Sequence, residues 1–125
     1  MKLKIITATI LVVCIAGLGG CYKDVIYPDF DPNAPISFNA DLVPIFTKSC
    51  DDAGCHDAAA THNPALTADK AYNAIKNGGF INLLKPEESI LYKSVKSGAM
   101  PPSGGLKPAD VQRILIWIKN GAPNN

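Results

Sequence analysis

The chain is predicted to be all-α, on three observations. Near its end, Val111, Ile114, Leu115 and Ile118 recur at i, i+3, i+4 and i+7, and Ile116 and Trp117 widen that apolar stripe. Prolines and glycines stand where such segments open and close, not inside them. No stretch of useful length alternates apolar and polar residues, so no strand is expected. A chain of 125 residues holds one small domain of three to four helices beside any targeting segment.

Taken in order, Met1-Lys2-Leu3-Lys4 precede an apolar run from Ile5 to Leu18. The run is too short to span a bilayer comfortably and has the shape of a secretory signal. It ends in Leu18-Gly19-Gly20-Cys21, small residues before a cysteine, as in a bacterial lipobox. Residues 1–20 therefore read as a lipoprotein signal peptide and Cys21 as the lipidated first residue of the mature chain. A plain signal peptide with an incidental cysteine is the alternative. Residues 21–37 form a Pro/Asp-rich tether of about 50 Å at most, which keeps the domain near the membrane. Residues 38–125 are the domain.

In the domain, a first helix is expected to start at an Asp41 cap with Pro44 in its first turn, and to run through Leu42, Val43, Ile45 and Phe46 into Cys50. A polar loop, Ala58 to Pro64, follows. Thr67 should cap a second helix through Ala71, Tyr72 and Ile75, stopped by Gly78-Gly79. A third should open at Pro86 with Glu87 and Glu88 in its first turn. It should bury Ile90, Leu91 and Val95, with Tyr92 at the margin, and end at Gly98. A stiff loop carrying Met100-Pro101-Pro102 leads to the last helix, which begins at Pro108 and ends before Gly121.

The chemistry lies in the cysteines. Cys14 leaves with the signal and Cys21 takes the lipid, so Cys50 and Cys55 remain as a pair. In an oxidising exported compartment they must be a disulfide, metal ligands or haem thioethers. Zinc is disfavoured, because only His56 and His62 accompany them and no second cysteine pair completes a site. Cys50-Asp51-Asp52-Ala53-Gly54-Cys55-His56 has the order that attachment of a c-type haem requires. Two sulfurs add across the haem vinyl groups, and the histidine after the second cysteine is held under the iron. The gap between the cysteines is four residues where two are usual. The competing reading is a local Cys50–Cys55 disulfide, with His56 an ordinary loop residue.

Without the signal, ten basic residues face eleven acidic ones, which argues against nucleic acid as a partner. The charges are unevenly placed. Cys21 to Asp69 holds eight acidic and two basic residues, whereas the chain from Lys70 onward holds eight basic and three acidic.

A helix leading into Cys…Cys-His, a later Met-Pro-Pro loop, and a closing helix with Trp117 and Gly121-Ala122-Pro123 make the chain resemble the monohaem class I cytochrome c family, in its bacterial lipoprotein form. The resemblance covers Phe38 to Pro123. It implies a cytochrome c-like fold, with the helices wrapped around one covalently bound haem c. It also implies His56 as proximal ligand, Met100 as distal ligand, Pro64 as the carbonyl that receives the other His56 ring N–H, and Trp117 against the haem. Met100 is also the only methionine of the mature chain, placed where a helix breaks and followed by two prolines. His62, the rival distal ligand, lies on the same loop as His56. Phe46, Leu66, Tyr72, Leu91, Ile114 and Trp117 are the expected haem wall.

The implied function is electron transfer by a membrane-anchored carrier without catalytic residues, since Asp51, Asp52 and Asp57 form no acid–base pair. Two alternatives stand beside it: a haem peroxidase or gas sensor whose Met100 is displaced, and a haem-free, disulfide-bonded lipoprotein that acts as a binding module. The location is exported, facing the periplasm or at the cell surface. Tyr22 after Cys21 favours the outer membrane by analogy with other lipoproteins. Lys85, Lys93, Lys96 and Lys107 are the candidate docking ring for an acidic redox partner.

Overall fold

In a computed structural model the described residues are 31 and 33–125; the expected signal peptide, the expected lipidation site Cys21 and most of the expected tether lie outside them. The described part is helical and contains no strand. A wide π turn, Phe38–Leu42, runs directly into α1, Val43–Ser49. Then follow α2 (Ala71–Asn77), a 3₁₀ turn (Pro86–Glu88), α3 (Ile90–Lys96) and α4 (Pro108–Lys119).

The first helical stretch starts earlier than expected. Ser37, not Asp41, is its cap: the Ser37 hydroxyl accepts from Ala40 N at 3.1 Å, and Asp41 Oδ2 accepts from Ser37 N at 2.8 Å. The Ser37 side chain caps the Ala40 N–H while the Asp41 carboxylate reaches back to the Ser37 N–H, in the manner of a capping box. Pro44 therefore lies inside a continuous helix. It lacks an N–H and its ring crowds the preceding carbonyls, which accounts for the turn before it opening to the wide pattern in which Val43 N reaches Phe38 O. Ile36, placed by sequence in the tether, is 5% exposed and belongs to the core.

The second and third helices are shorter than expected. Thr67 Oγ1 bonds Asp69 Oδ1 at 2.7 Å instead of capping α2, which begins only at Ala71. The third breaks at Ser89, whose extended backbone (ψ 133°) separates the 3₁₀ turn from α3. That break turns Ile90 outward, at 54% exposed, while Leu91, Tyr92 and Val95 are buried.

The helix ends follow the glycines. Gly79 (φ +73°), Gly98 (φ +74°) and Gly121 (φ +89°) each adopt the left-handed conformation just past α2, α3 and α4. At α4 the closure is a full Schellman motif: Gly121 N bonds Ile118 O at 3.0 Å and Ala122 N bonds Trp117 O at 2.9 Å.

The core lies where α4 crosses the Phe38 turn. Trp117, fully buried, packs against Phe38 (ring centroids 5.2 Å apart) and Tyr72 (6.4 Å). Leu42, Phe46, Ile75, Ile114 and Ile118 complete it. Asn125 clasps the start of the domain: its backbone O accepts from Ser37 Oγ (2.8 Å) and Asn39 N (2.9 Å), and its Oδ1 accepts from Phe38 N (2.9 Å). Among the described residues no helix is long and apolar enough to cross a membrane.

Candidate functional site

The site is built on the loop between α1 and α2. Cys50 is the C-cap of α1, and its N–H bonds Phe46 O at 2.8 Å, so the first thiol is fixed by the helix end. The four residues before Cys55 fold into a tight turn. Cys55 N bonds Asp52 O at 2.9 Å, Gly54 takes φ +81°, and His56 N returns to Cys50 O at 3.3 Å. An L side chain rarely tolerates that φ, so a glycine suits position 54.

Asp57 organises the loop from within. Its Oδ2 accepts from Gly54 N (3.0 Å), and its Oδ1 from Ala59 N (3.1 Å) and the Thr61 hydroxyl (3.4 Å). These donors stabilise the carboxylate and hold its pKa below the usual value, the Gly54 bond contributing most. Lys70 Nζ bonds Ala58 O at 2.8 Å and ties the loop to the start of α2. Sequence alone gave Asp57 only a flanking role; its signal is an Asp placed three residues after a glycine in a turn-rich stretch.

The His56 ring lies across this loop. Its Nδ1 is 2.8 Å from Pro64 O and 3.0 Å from His62 O. Both partners are carbonyls and can only accept, so Nδ1 carries the proton and the Nε2 lone pair of the neutral ring is free. His62 thus meets His56 through its backbone carbonyl. Leu66 N bonds His56 O at 2.7 Å and closes the loop onto the core.

Cys50 and Cys55 are free thiols, the first half-buried and the second exposed. Burial, then the neighbouring Asp52 and Asp51 carboxylates, push the Cys50 thiol up to about 11. Among the described residues no cluster of three or more His, Cys, Asp or Glu side chains gathers as a metal-ion site. The donor set, two unpaired sulfurs beside an imidazole with its Nε2 available, fits a covalently attached haem.

Met100 stands on the loop after α3. Its N–H bonds Ser94 O at 3.1 Å and the residue is 40% exposed. A pocket of about 400 Å³ lies behind that loop, between Tyr92, Val95, Leu106 and Val111, and neither cysteine nor His56 lines it. Trp117, which the resemblance sets against the haem, is buried among protein side chains. It is enclosed by the helix contact, and its Nε1–H is taken by Pro123 O at 2.9 Å. Phe46, Leu66, Leu91 and Ile114, expected as haem wall, are likewise covered by protein. The four lysines of the expected docking ring are exposed. Lys85 pairs with Glu88 at 3.2 Å, and Lys96 lies over the Tyr92 ring, 5.3 Å from its centroid.

No family model matches the chain, and neither curated proteins nor solved structures include a significant match to it.

Proposed function

We propose that the chain is a lipid-anchored c-type cytochrome that carries electrons. Cys50 and Cys55 hold one haem c through thioethers, His56 Nε2 is the proximal ligand, Met100 the distal one, and Cys21 bears the lipid. The observation that carries the proposal is the His56 ring held through Nδ1 by Pro64 O at 2.8 Å, directly after the second of two free cysteines. A ligating imidazole is normally oriented by such a bond at its other nitrogen, which also raises its basicity. Here the orientation comes from the loop's own hydrogen bonds, so the histidine is aimed without help from a ligand. When bound, the haem supplies a one-electron ferric/ferrous couple, whose potential a His/Met ligand pair raises. Intact mass of the exported protein should exceed polypeptide plus lipid by one haem, and the band should stain for haem after denaturation. A mass matching free thiols or a Cys50–Cys55 disulfide refutes the assignment.

The exposure of Met100, at 40%, favours one second reading: a haem protein whose methionine leaves the iron to admit peroxide or a gas.

A further inference from the structure

Among the described residues, the large apolar side chains left exposed are Met100 and three that lie close together in sequence. Leu84 is 95% exposed, Leu83 48% and Ile90 54%, all within the connection from α2 to α3 and the first residue of α3. They are held out by a built turn. Asn82 Oδ1 accepts from Leu84 N and from Lys85 N, both at 3.0 Å, which projects the two leucines as a tip. The base of the turn is locked: Asn82 N bonds the hydroxyl of Ser89, itself 1% exposed, at 2.9 Å, and Leu91 N bonds Phe80 O at 3.0 Å. Two adjacent exposed leucines on a rigid turn are unfavourable in water and gain when an apolar phase covers them.

The position of the turn indicates the covering phase. Glu87 Oε1 meets Lys119 Nζ at 2.7 Å, which pins the turn to the C-terminal end of α4. Six residues further on, Asn125 is clasped to Ser37, Phe38 and Asn39, where the chain enters the domain. The leucine turn and the entry of the tether are thus both tied to the segment from Lys119 to Asn125. The tether from Cys21 to Ile36 spans at most about 50 Å even when fully extended. Lys85 pairs with Glu88 and Lys119 with Glu87, so the acidic groups next to the tip are already engaged by lysines of the same chain.

We propose that the Leu83-Leu84 turn, with Ile90 beside it, is a second membrane contact that enters the interfacial layer of the bilayer holding Cys21. The inference rests on the lipid anchor of the proposed function. Its consequence is orientation: one lipid attachment leaves the domain free to tumble on its tether, whereas a second contact fixes which face points away from the membrane.

The test uses the exported full chain in vesicles of zwitterionic phosphatidylcholine. Leu84→Trp places an indole at a site 95% exposed, where folding is undisturbed, and Trp117 is the only other tryptophan. The difference in emission from wild type should be blue-shifted, quenched by lipids brominated along their acyl chains, and unchanged in high salt. Ser103→Trp, on the exposed Met100 loop, should show no change in emission when brominated lipid replaces the ordinary lipid. Leu83→Ser/Leu84→Ser should speed transfer of the protein between vesicles by about tenfold for each leucine. Water-like emission from Leu84→Trp that brominated lipid leaves unchanged overturns the proposal. So does a blue shift that appears only as protein concentration rises, which would assign the tip to a second copy, or only with anionic lipid at low salt. The acyl mass on Cys21 is measured separately. If it is absent, the anchor reading fails, and quenching of Leu84→Trp in the non-acylated chain mixed with the same vesicles still decides the inference.

Discussion

Replacing Trp117 with phenylalanine separates two roles for the same residue. The sequence resemblance puts Trp117 against the haem; the structure puts it in the helix contact, 0% exposed, between Phe38 and Tyr72. Phenylalanine keeps one ring and loses the Nε1–H that bonds Pro123 O at 2.9 Å. Loss of that bond costs about 1 kcal/mol. Loss of the second ring, with the space it leaves, costs roughly 1–2 kcal/mol more. The total, about 2–3 kcal/mol, should lower the Tm by roughly 10–20 °C in a domain of this size, at about 4–8 °C for each kcal/mol. Thermal melts followed by far-ultraviolet circular dichroism measure this, and the absorption bands and midpoint potential of the proposed haem serve as the second readout. The packing role requires a large fall in Tm with bands and potential unchanged. A shifted potential with an unaltered melt refutes it and returns Trp117 to the haem face.

Three further outcomes follow from the site. If Met100 is the distal ligand as proposed, Met100→Ala should open the iron, lower the potential and let carbon monoxide bind the ferrous protein, which wild type should resist; ready binding by wild type would favour the displaceable-ligand reading. In chain prepared without haem, iodoacetamide should alkylate exposed Cys55 well before half-buried Cys50, which at pH 8 is only about one part in a thousand thiolate when its thiol sits at about 11. Peptide mapping of the label gives the order, and equal labelling contradicts the description of the loop. Asp57→Ala removes the acceptor shared by Gly54, Ala59 and Thr61, so amide exchange should rise across residues 52–62 and haem incorporation should fall, with α4 unaffected.

What the sequence reveals and what it hides follow from the range of the interactions. Helix ends were legible because a glycine in the left-handed conformation is a local device: Gly79, Gly98 and Gly121 act where they stand. The apolar stripe of α4 was legible for the same reason, since Val111, Ile114, Leu115 and Ile118 are all buried. Helix starts were legible where a proline marks them, Pro108 opening α4 and Pro86 the 3₁₀ turn, but not at the first two helices. Asp41 looks like a cap but serves as the far half of a box begun by Ser37, and Asn125, 88 residues away, fixes the same Ser37 hydroxyl. Ile90 fits the expected buried stripe, and only the break at Ser89, set by its bond to Asn82, turns it outward. The positions of Cys50, Cys55 and His56 are plain in the sequence. The bonds that orient them depend on Asp57, His62 and Lys70, whose roles appear only once the loop closes.

The longer gap between the cysteines is best understood through that closure. Four intervening residues could be expected to splay the two sulfurs apart. Instead the turn from Asp52 to Cys55 absorbs the additional residues, and the bond from His56 N to Cys50 O brings the second cysteine and its histidine back beneath the end of α1. Each part of the loop is held by a different agent: α1 fixes Cys50, the left-handed Gly54 and the Asp57 carboxylate shape the turn, and the Pro64 carbonyl sets the imidazole. None of these bonds uses a cysteine sulfur or His56 Nε2. The groups proposed to bind haem are therefore the ones the loop leaves unengaged, as expected of a site ordered before its ligand arrives.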